Sequence, residues 1–224
     1  MRTAVYTVKS LLLGVGFCLF APLGGQAQGE NFVSLSYGYA PDPELHIASV
    51  DAYRVWPVGL KGRLMAGGGV RYNYQGSTGQ ISLELIDDNR NANAEVLVSG
   101  LVVHNLALFA EASYRISDRL EGGFNIELVG VTFGPEQSLP LQPPDFPLSV
   151  EPETLGLLLV GENDLGTLNS EFFAAYRVSE RLWLRANLSY VVNNYLTTTP
   201  VTSGEEARLQ RFFSYLTVGV QFQL

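Results

Sequence analysis

Thr217-Val218-Gly219-Val220-Gln221-Phe222-Gln223-Leu224 closes the chain, with hydrophobic side chains at 218, 220, 222 and 224 and polar or small ones between. Successive side chains of a strand point to opposite faces, so this stretch has one apolar and one polar face. An exposed edge strand of this kind invites pairing with other chains unless it closes a barrel. The stretch predicts a closed all-β architecture. It leaves molecular activity open.

The same alternation recurs upstream and predicts strands at 32–40, 45–55, 62–74, 102–116, 119–133, 167–178, 181–195 and 209–224. Eight antiparallel strands of this kind make an up-and-down barrel. A repeat lays out its turns: Tyr114-Arg115-Ile116-Ser117-Asp118-Arg119-Leu120 returns 62 residues later as Tyr176-Arg177-Val178-Ser179-Glu180-Arg181-Leu182. A weaker copy, Tyr53-Arg54-Val55 followed by Trp56-Pro57-Val58-Gly59, lies 61 residues earlier. Each copy sits between alternating segments and reads as a tight hairpin turn, whereas the intervening connections are long and polar. Short turns at one rim and long loops at the other is the asymmetry of barrels that span membranes, the short side periplasmic.

In the seventh strand Leu182, Leu184, Ala186, Leu188, Tyr190 and Val192 share one face, and Arg185, Asn187, Ser189 and Asn193 the other. A soluble lipocalin-type barrel would carry the same stripes turned inside out. Lipid on the outside is favoured by the terminal strand, by an export signal and by the tyrosines. Tyr53, Tyr114 and Tyr176 fall beside the short turns, and Tyr37, Tyr39, Tyr72, Tyr74 and Tyr190 near the other ends, as two interfacial girdles. Sliding the seventh strand by one residue would turn Arg185 to lipid, at a cost of about 2–4 kcal/mol at mid-membrane. Asp51 alone disobeys, falling on the lipid side of the second strand. Either it lies at the headgroup level or a bulge shifts the phase.

The export signal occupies residues 1–27: Arg2 and Lys9 form the basic start, Leu11 to Leu23 the apolar stretch, and Gly25-Gln26-Ala27 a small-x-small cleavage site before Gln28. A retained membrane helix competes with this reading, but Gly14, Gly16 and Pro22 break the apolar run. Cys18, the only cysteine, leaves with the signal, so neither a disulfide nor a thiolate metal site is expected. About 197 mature residues suit one domain, 28–224. Without Arg2 and Lys9 there are 12 basic residues against 22 acidic ones, a net charge near −10 that argues against nucleic acid as a partner.

The terminal strand, with Thr217, Gly219, Phe222 and Leu224 in the positions of an assembly signal, and the Tyr-Arg-x-Ser-acid-Arg-Leu turns together resemble the small eight-stranded bacterial outer-membrane proteins of the OmpA/OmpX and opacity-protein type. The resemblance covers the whole mature chain. It implies a location in the bacterial outer membrane, contact with membrane lipid and lipopolysaccharide, and insertion by the barrel assembly machinery. It implies no single activity, because that group includes adhesins, anchors and lipid-modifying enzymes. No peptidoglycan-binding domain is expected after the barrel, since the chain ends with the last strand.

By parity the lumen receives Arg54, Arg63, Arg71, Arg115, Arg177, Arg185 and Arg211 together with Glu111, Glu121, Glu127 and Glu171. An eight-stranded barrel is narrow enough for side chains to fill, and ions held away from water must pair. A salt-bridged plug is therefore expected; a proton or ion path is the alternative. Catalysis is not expected. The lipid A deacylase barrels use a His and a Ser two residues apart on one face, whereas here Ser49 lies opposite to His46 and no serine accompanies His104. Both histidines read as rim residues near lipid headgroups. No cofactor is implied.

Two outer loops remain as surfaces for an unknown partner. Loop 75–101 carries Asp87-Asp88-Asn89-Arg90-Asn91-Ala92-Asn93, whose start resembles a calcium loop. Ala92 stands where the glycine belongs and Val98 where the bidentate Glu belongs, so it reads as an Asx-rich turn. Its flanks, Ile81 to Leu85 and Glu95 to Val98, predict a hairpin above the membrane. Loop 134–166 holds Pro135, Pro140, Pro143, Pro144, Pro147 and Pro152, then the apolar run Leu155-Gly156-Leu157-Leu158-Leu159-Val160. It is rich in acids and has no Lys or Arg, and is expected to be solvated or to bridge through divalent cations to lipopolysaccharide or a partner.

Overall fold

A computed structural model describes residues 28–40, 44–86, 95–138, 149–159, 164–197 and 208–224. The export signal with Cys18, the Asp87–Asn93 turn, and Pro140, Pro143, Pro144 and Pro147 lie outside the described residues. The elements are β1 (Glu30–Ala40), β2 (Leu45–Gly59), a 3-10 turn (Leu60–Gly62), β3 (Leu64–Ser77), β4 (Gln80–Ile86), β5 (Glu95–Ser99), β6 (Val102–Arg115), β7 (Leu120–Phe133), β8 (Gln137–Ser138), β9 (Ser149–Pro152), β10 (Leu155–Leu157), β11 (Leu168–Arg177), β12 (Leu182–Thr197) and β13 (Arg208–Gln223). Eight of them pair antiparallel in the cyclic order β1-β2-β3-β6-β7-β11-β12-β13, and β13 returns to β1 with Leu35 opposite Val220. These are the eight strands that alternation predicts.

The short turns share one construction. In the turn after β6, Ser117 Oγ accepts from Leu120 N at 3.1 Å; after β11, Ser179 Oγ accepts from Leu182 N at 3.2 Å. A serine hydroxyl holding a backbone N–H three residues on closes a tight turn. The arginine before each new strand offers its carbonyl to the next hairpin: Arg119 O accepts from Arg177 N and Arg181 O from Gln223 N, both at 2.8 Å. Arg63 O accepts from Arg115 N at 2.9 Å in the same way. Arg63-Leu64 is therefore the first member of the repeat, and the Tyr53-Arg54-Val55 copy is out of register. β2 runs on to Gly59 through an irregularity at Pro57/Gly59.

That shift corrects the phase of β2. Leu45, Ile47, Ser49, Asp51, Tyr53 and Val55 all face inward and are buried. Asp51 sits neither at a headgroup nor on a bulge. Tyr53 does not belong to the girdle; it is 1% exposed, stacked on Phe32 at 5.3 Å in the lumen. Gly69 lies between Tyr53 and Phe109 across the strands, and a Cβ there would come within 2.4 Å of the Tyr53 Cβ. The missing side chain lets both rings enter the lumen, 5.8 Å apart edge to face.

Two apolar layers enclose the lumen. The one at the short-turn end contains Phe32, Tyr53, Val55, Met65, Phe109, Phe173, Ala175 and Trp183. The other, at the long-loop end, combines inward residues such as Ile47, Val103, Val191 and Phe213 with Ile81, Leu83 and Val98 from β4 and β5. The β4–β5 hairpin leaves the end of β3 and pairs with the top of β13 through Leu209 opposite Leu85. β3 and β13 are three strands apart in the barrel, so the hairpin crosses the mouth.

Candidate functional site

Between the apolar layers lies a polar one, built around two buried arginines. Arg71 stands on β3 opposite Asp51 on β2 and Ala107 on β6. Its Nε donates to Asp51 Oδ1 at 2.8 Å, Nη2 to Glu171 Oε2 at 2.8 Å, and Nη1 to Asn125 Oδ1 at 3.1 Å. One side chain thus ties β3 to β2, β7 and β11 across the lumen, with its guanidinium 4.8 Å from the Phe109 ring. Ser34 donates to Asp51 at 2.7 Å, while Asn125, Asn169 and Ser189 donate to Glu171. Both carboxylates therefore have neutral donors beside their guanidinium, as buried ions require.

Arg185 on β12 organises the layer below. It donates to Asn187 Oδ1 at 2.8 Å, Tyr53 OH at 3.1 Å and Glu111 Oε2 at 3.2 Å, and lies 3.6 Å from the Phe173 ring centroid. Glu127 is the third buried centre; Asn73, Asn105 and the Asn169 backbone donate to it at 2.7, 2.8 and 3.1 Å. At the short-turn rim Arg115 bridges Glu30 at 2.5 Å and Glu121 at 3.3 Å.

The other arginines assigned to the lumen by parity do not join this network. Arg54 faces outward over the Trp56 ring at 5.3 Å, because the phase of β2 is opposite to that expected. Arg63 is exposed on its turn. Arg177 is spent on its own turn, donating to the carbonyls of Ser179 and Glu180. Arg211 lies at the long-loop end, 5.7 Å from the Phe213 ring. Parity alone assigns a face; it does not tell a mid-strand arginine from one at a strand end, which reaches the turn or solvent instead. Asp51 and Tyr53 are the members that parity misses, whereas Asn73 and Asn125 lie on the polar faces that parity assigns to their strands and join the network with Asn105 and Asn169. A mid-strand Asp is the available signal, since it has far less reach to escape than a terminal arginine.

Outside, the pattern reverses. Leu35, Val50, Phe172, Leu184, Phe212, Leu216, Val218 and Phe222 stand exposed around the wall, Leu216 to 68%. A wall that is greasy outward and ionic inward suits a hydrocarbon surrounding and not water. The chain is a small transmembrane β-barrel. Of its terminal strand, Thr217 is buried in the lumen, Gly219 lies opposite Ser36 on β1, and Phe222 and Leu224 face outward. Tyr114 and Tyr176 are exposed near the short turns, and Tyr72 and Tyr190 toward the long-loop end; Tyr74 shares the outward face, half-buried.

Each histidine of the barrel sits outward within a tyrosine pair. Tyr37 OH is 2.7 Å from His46 Nδ1, with the Tyr39 ring 5.0 Å away. Tyr72 OH is 2.7 Å from His104 Nδ1, with Tyr74 at 5.4 Å and Phe133 stacked at 5.2 Å. His46 and Ser49 face opposite sides of β2, Ser49 being hydrogen-bonded to Ser36 inside.

No protein-family model and no curated protein matches the chain. Among solved structures the barrel is similar to a de novo designed transmembrane β-barrel, at 15% identity over 90% of this chain and 100% of that one, with a TM-score of 0.37. A major outer membrane protein of Thermus thermophilus aligns at 10% identity over 88% of this chain and 99% of that one, TM-score 0.42. The toluene transporter TbuX of Ralstonia pickettii aligns at 10% identity over 80% of this chain and 67% of that one, TM-score 0.22.

Proposed function

We propose that the barrel is a closed outer-membrane protein of structural or surface-interaction type, working through its exterior and long-loop end without catalysis. One observation supports this reading: the described inward side chains stack as an apolar layer, an ion-paired polar layer and a second apolar layer under the β4–β5 hairpin. Its surroundings on this reading are membrane lipid and lipopolysaccharide, reached after export and assembly, with loops 75–101 and 134–166 offered to any surface partner. The test is single-channel recording of the purified barrel in planar bilayers. The expected result is no steady conductance; a persistent open pore would end the proposal.

A second reading, a narrow transporter for small apolar solutes, draws on the wall between β7 and β11. Their pairing ends at Ile126 opposite Ser170, above which β7 pairs with the short β10 instead. β10, drawn from the apolar run of the third loop, covers the seam and is joined to Leu165 through Leu157. A cavity of about 170 Å³ opens beside it, lined by Ile126, Leu158, Leu168, Tyr190, Val192 and Phe212 among others. Uptake of a small aromatic hydrocarbon into liposomes through the barrel would favour this reading over the first; uptake no faster than in empty liposomes would remove it.

A further inference from the structure

Glu127 projects from β7 into the lumen and is fully buried. The other three carboxylates buried at mid-lumen each meet a guanidinium: Asp51 and Glu171 share Arg71, and Glu111 takes Arg185. Among the described residues no basic side chain pairs with Glu127, whose donors are amides alone. At mid-lumen four carboxylates therefore face two guanidiniums, and Glu127 is the one without a direct ion pair. A buried carboxylate left without a counter-charge costs several kcal/mol.

A second observation is independent of charge. Asn73 Oδ1, Asn105 Oδ1, Asn169 Oδ1 and Thr132 Oγ1 are buried side-chain oxygens with no hydrogen-bond partner among the described residues. Asn73 and Asn105 donate to Glu127 by their side-chain amides, so their oxygens lie beside its carboxylate, while Asn169 donates by its backbone and sends its amide nitrogen to Glu171. Thr132 stands opposite Asn105 in the β6–β7 register. Buried polar oxygens are nearly always satisfied. Here three of them belong to the residues that hold the one mid-lumen carboxylate without a direct ion pair, and the fourth faces one of those three across the register.

Oxygen-only ligands select hard metal cations, and a single carboxylate among neutral oxygens balances a single positive charge. We propose that Glu127, Asn73, Asn105, Asn169 and Thr132 form a site for one alkali-metal cation, sodium or potassium, inside the barrel. The site lies beneath the upper apolar layer, so the ion is captured as the barrel closes, and its binding appears as folding stability. Whether the lumen conducts does not enter.

The test uses the whole mature barrel in detergent micelles, unfolded reversibly in urea and followed by the fluorescence of Trp56 and Trp183. Sodium, potassium and choline chlorides are compared at equal ionic strength, choline being too large for the site. The folding equilibrium constant is expected to be higher in sodium or potassium. Above the dissociation constant it should rise about tenfold for each tenfold rise in cation. Glu127→Gln should abolish that dependence. Thr132→Val, which keeps the side-chain shape, should weaken it and serves if Glu127→Gln does not fold. Equal midpoints in all three salts would overturn the proposal. So would stability that follows pH but not the alkali cation, because the counter-charge would then be a proton.

Discussion

Removing the Arg71 guanidinium would leave Asp51 and Glu171 with only hydroxyl and amide donors among the described residues. Breaking a buried pair from one side typically costs about 3–5 kcal/mol. Arg71→Ala is therefore expected to lose about that much in urea unfolding of the micelle-bound barrel. Arg177→Ala, at an exposed turn, should change little. Equal losses for the two would deny Arg71 its central role. Gly69 gives a second residue-scale prediction. A Cβ there would meet Ala52 O at 2.2 Å and Tyr53 Cβ at 2.4 Å, so Gly69→Val must push β2 away or drive the Tyr53 ring out of the lumen. Overpacking of this sort costs about 1–3 kcal/mol or more. The near-ultraviolet circular dichroism of the buried aromatics should diminish along with the unfolding midpoint. At this scale the sequence is ambiguous wherever a strand is apolar on both faces. β2 carries Leu45, Ile47 and Val55 inward and Val50, Ala48 and Ala52 outward, and the arginine at its end points to the wrong phase.

Elements are far more legible than residues. All eight barrel strands follow from period-two alternation, because in a membrane barrel nearly every mid-strand position is either lipid-facing or lumen-facing and each demands its own chemistry. Two turns are legible because their serines and arginines perform the same backbone task. The third is not: Leu60-Lys61-Gly62-Arg63 replaces the serine with positive-φ residues at 60, 61 and 62, and only Arg63-Leu64 persists. Shorter strands are a different matter. β10 has three residues, and its partner is decided by the gap above Ser170, which no local pattern encodes. That seam yields a direct test. Leu157 and Leu165 exchange backbone hydrogen bonds at 3.0 and 3.1 Å, the arrangement in which opposed Cα atoms lie about 5.5 Å apart. Such a separation admits a disulfide. Leu157→Cys with Leu165→Cys, in a barrel whose described residues hold no other cysteine, should therefore oxidise readily, as read by thiol titration. A pair that stays reduced under mild oxidant would place β10 elsewhere.

For the whole molecule the decisive feature is that different side chains meet in the lumen at different depths, apolar toward each end and ion-paired between. Alternation predicts a hairpin above the membrane but not its destination. β4 pairs with β13 rather than simply prolonging β3, because Ile81 and Leu83 are buried only when they lie over Leu45, Ile47, Val103 and Phe213. The hairpin is dispensable to the wall. Ser77 N already donates to Leu101 O at 2.8 Å, so residues 78–100 can be replaced by a short turn without moving β3 or β6. Such a deletion exposes the upper apolar layer but leaves the Arg71 and Arg185 layer beneath it intact. Bilayer recordings of the shortened barrel should therefore remain silent. Adding Arg71→Ala removes the strut that ties β3 to β7 and β11, and the charges left behind draw in water. The Arg185 network and the apolar layer at the short-turn end still stand beneath, so the doubly altered barrel is expected to lose stability without becoming a steady conductor. Steady conductance from the hairpin deletion alone would mean that the lid, and not the ion-paired layer, holds the barrel shut.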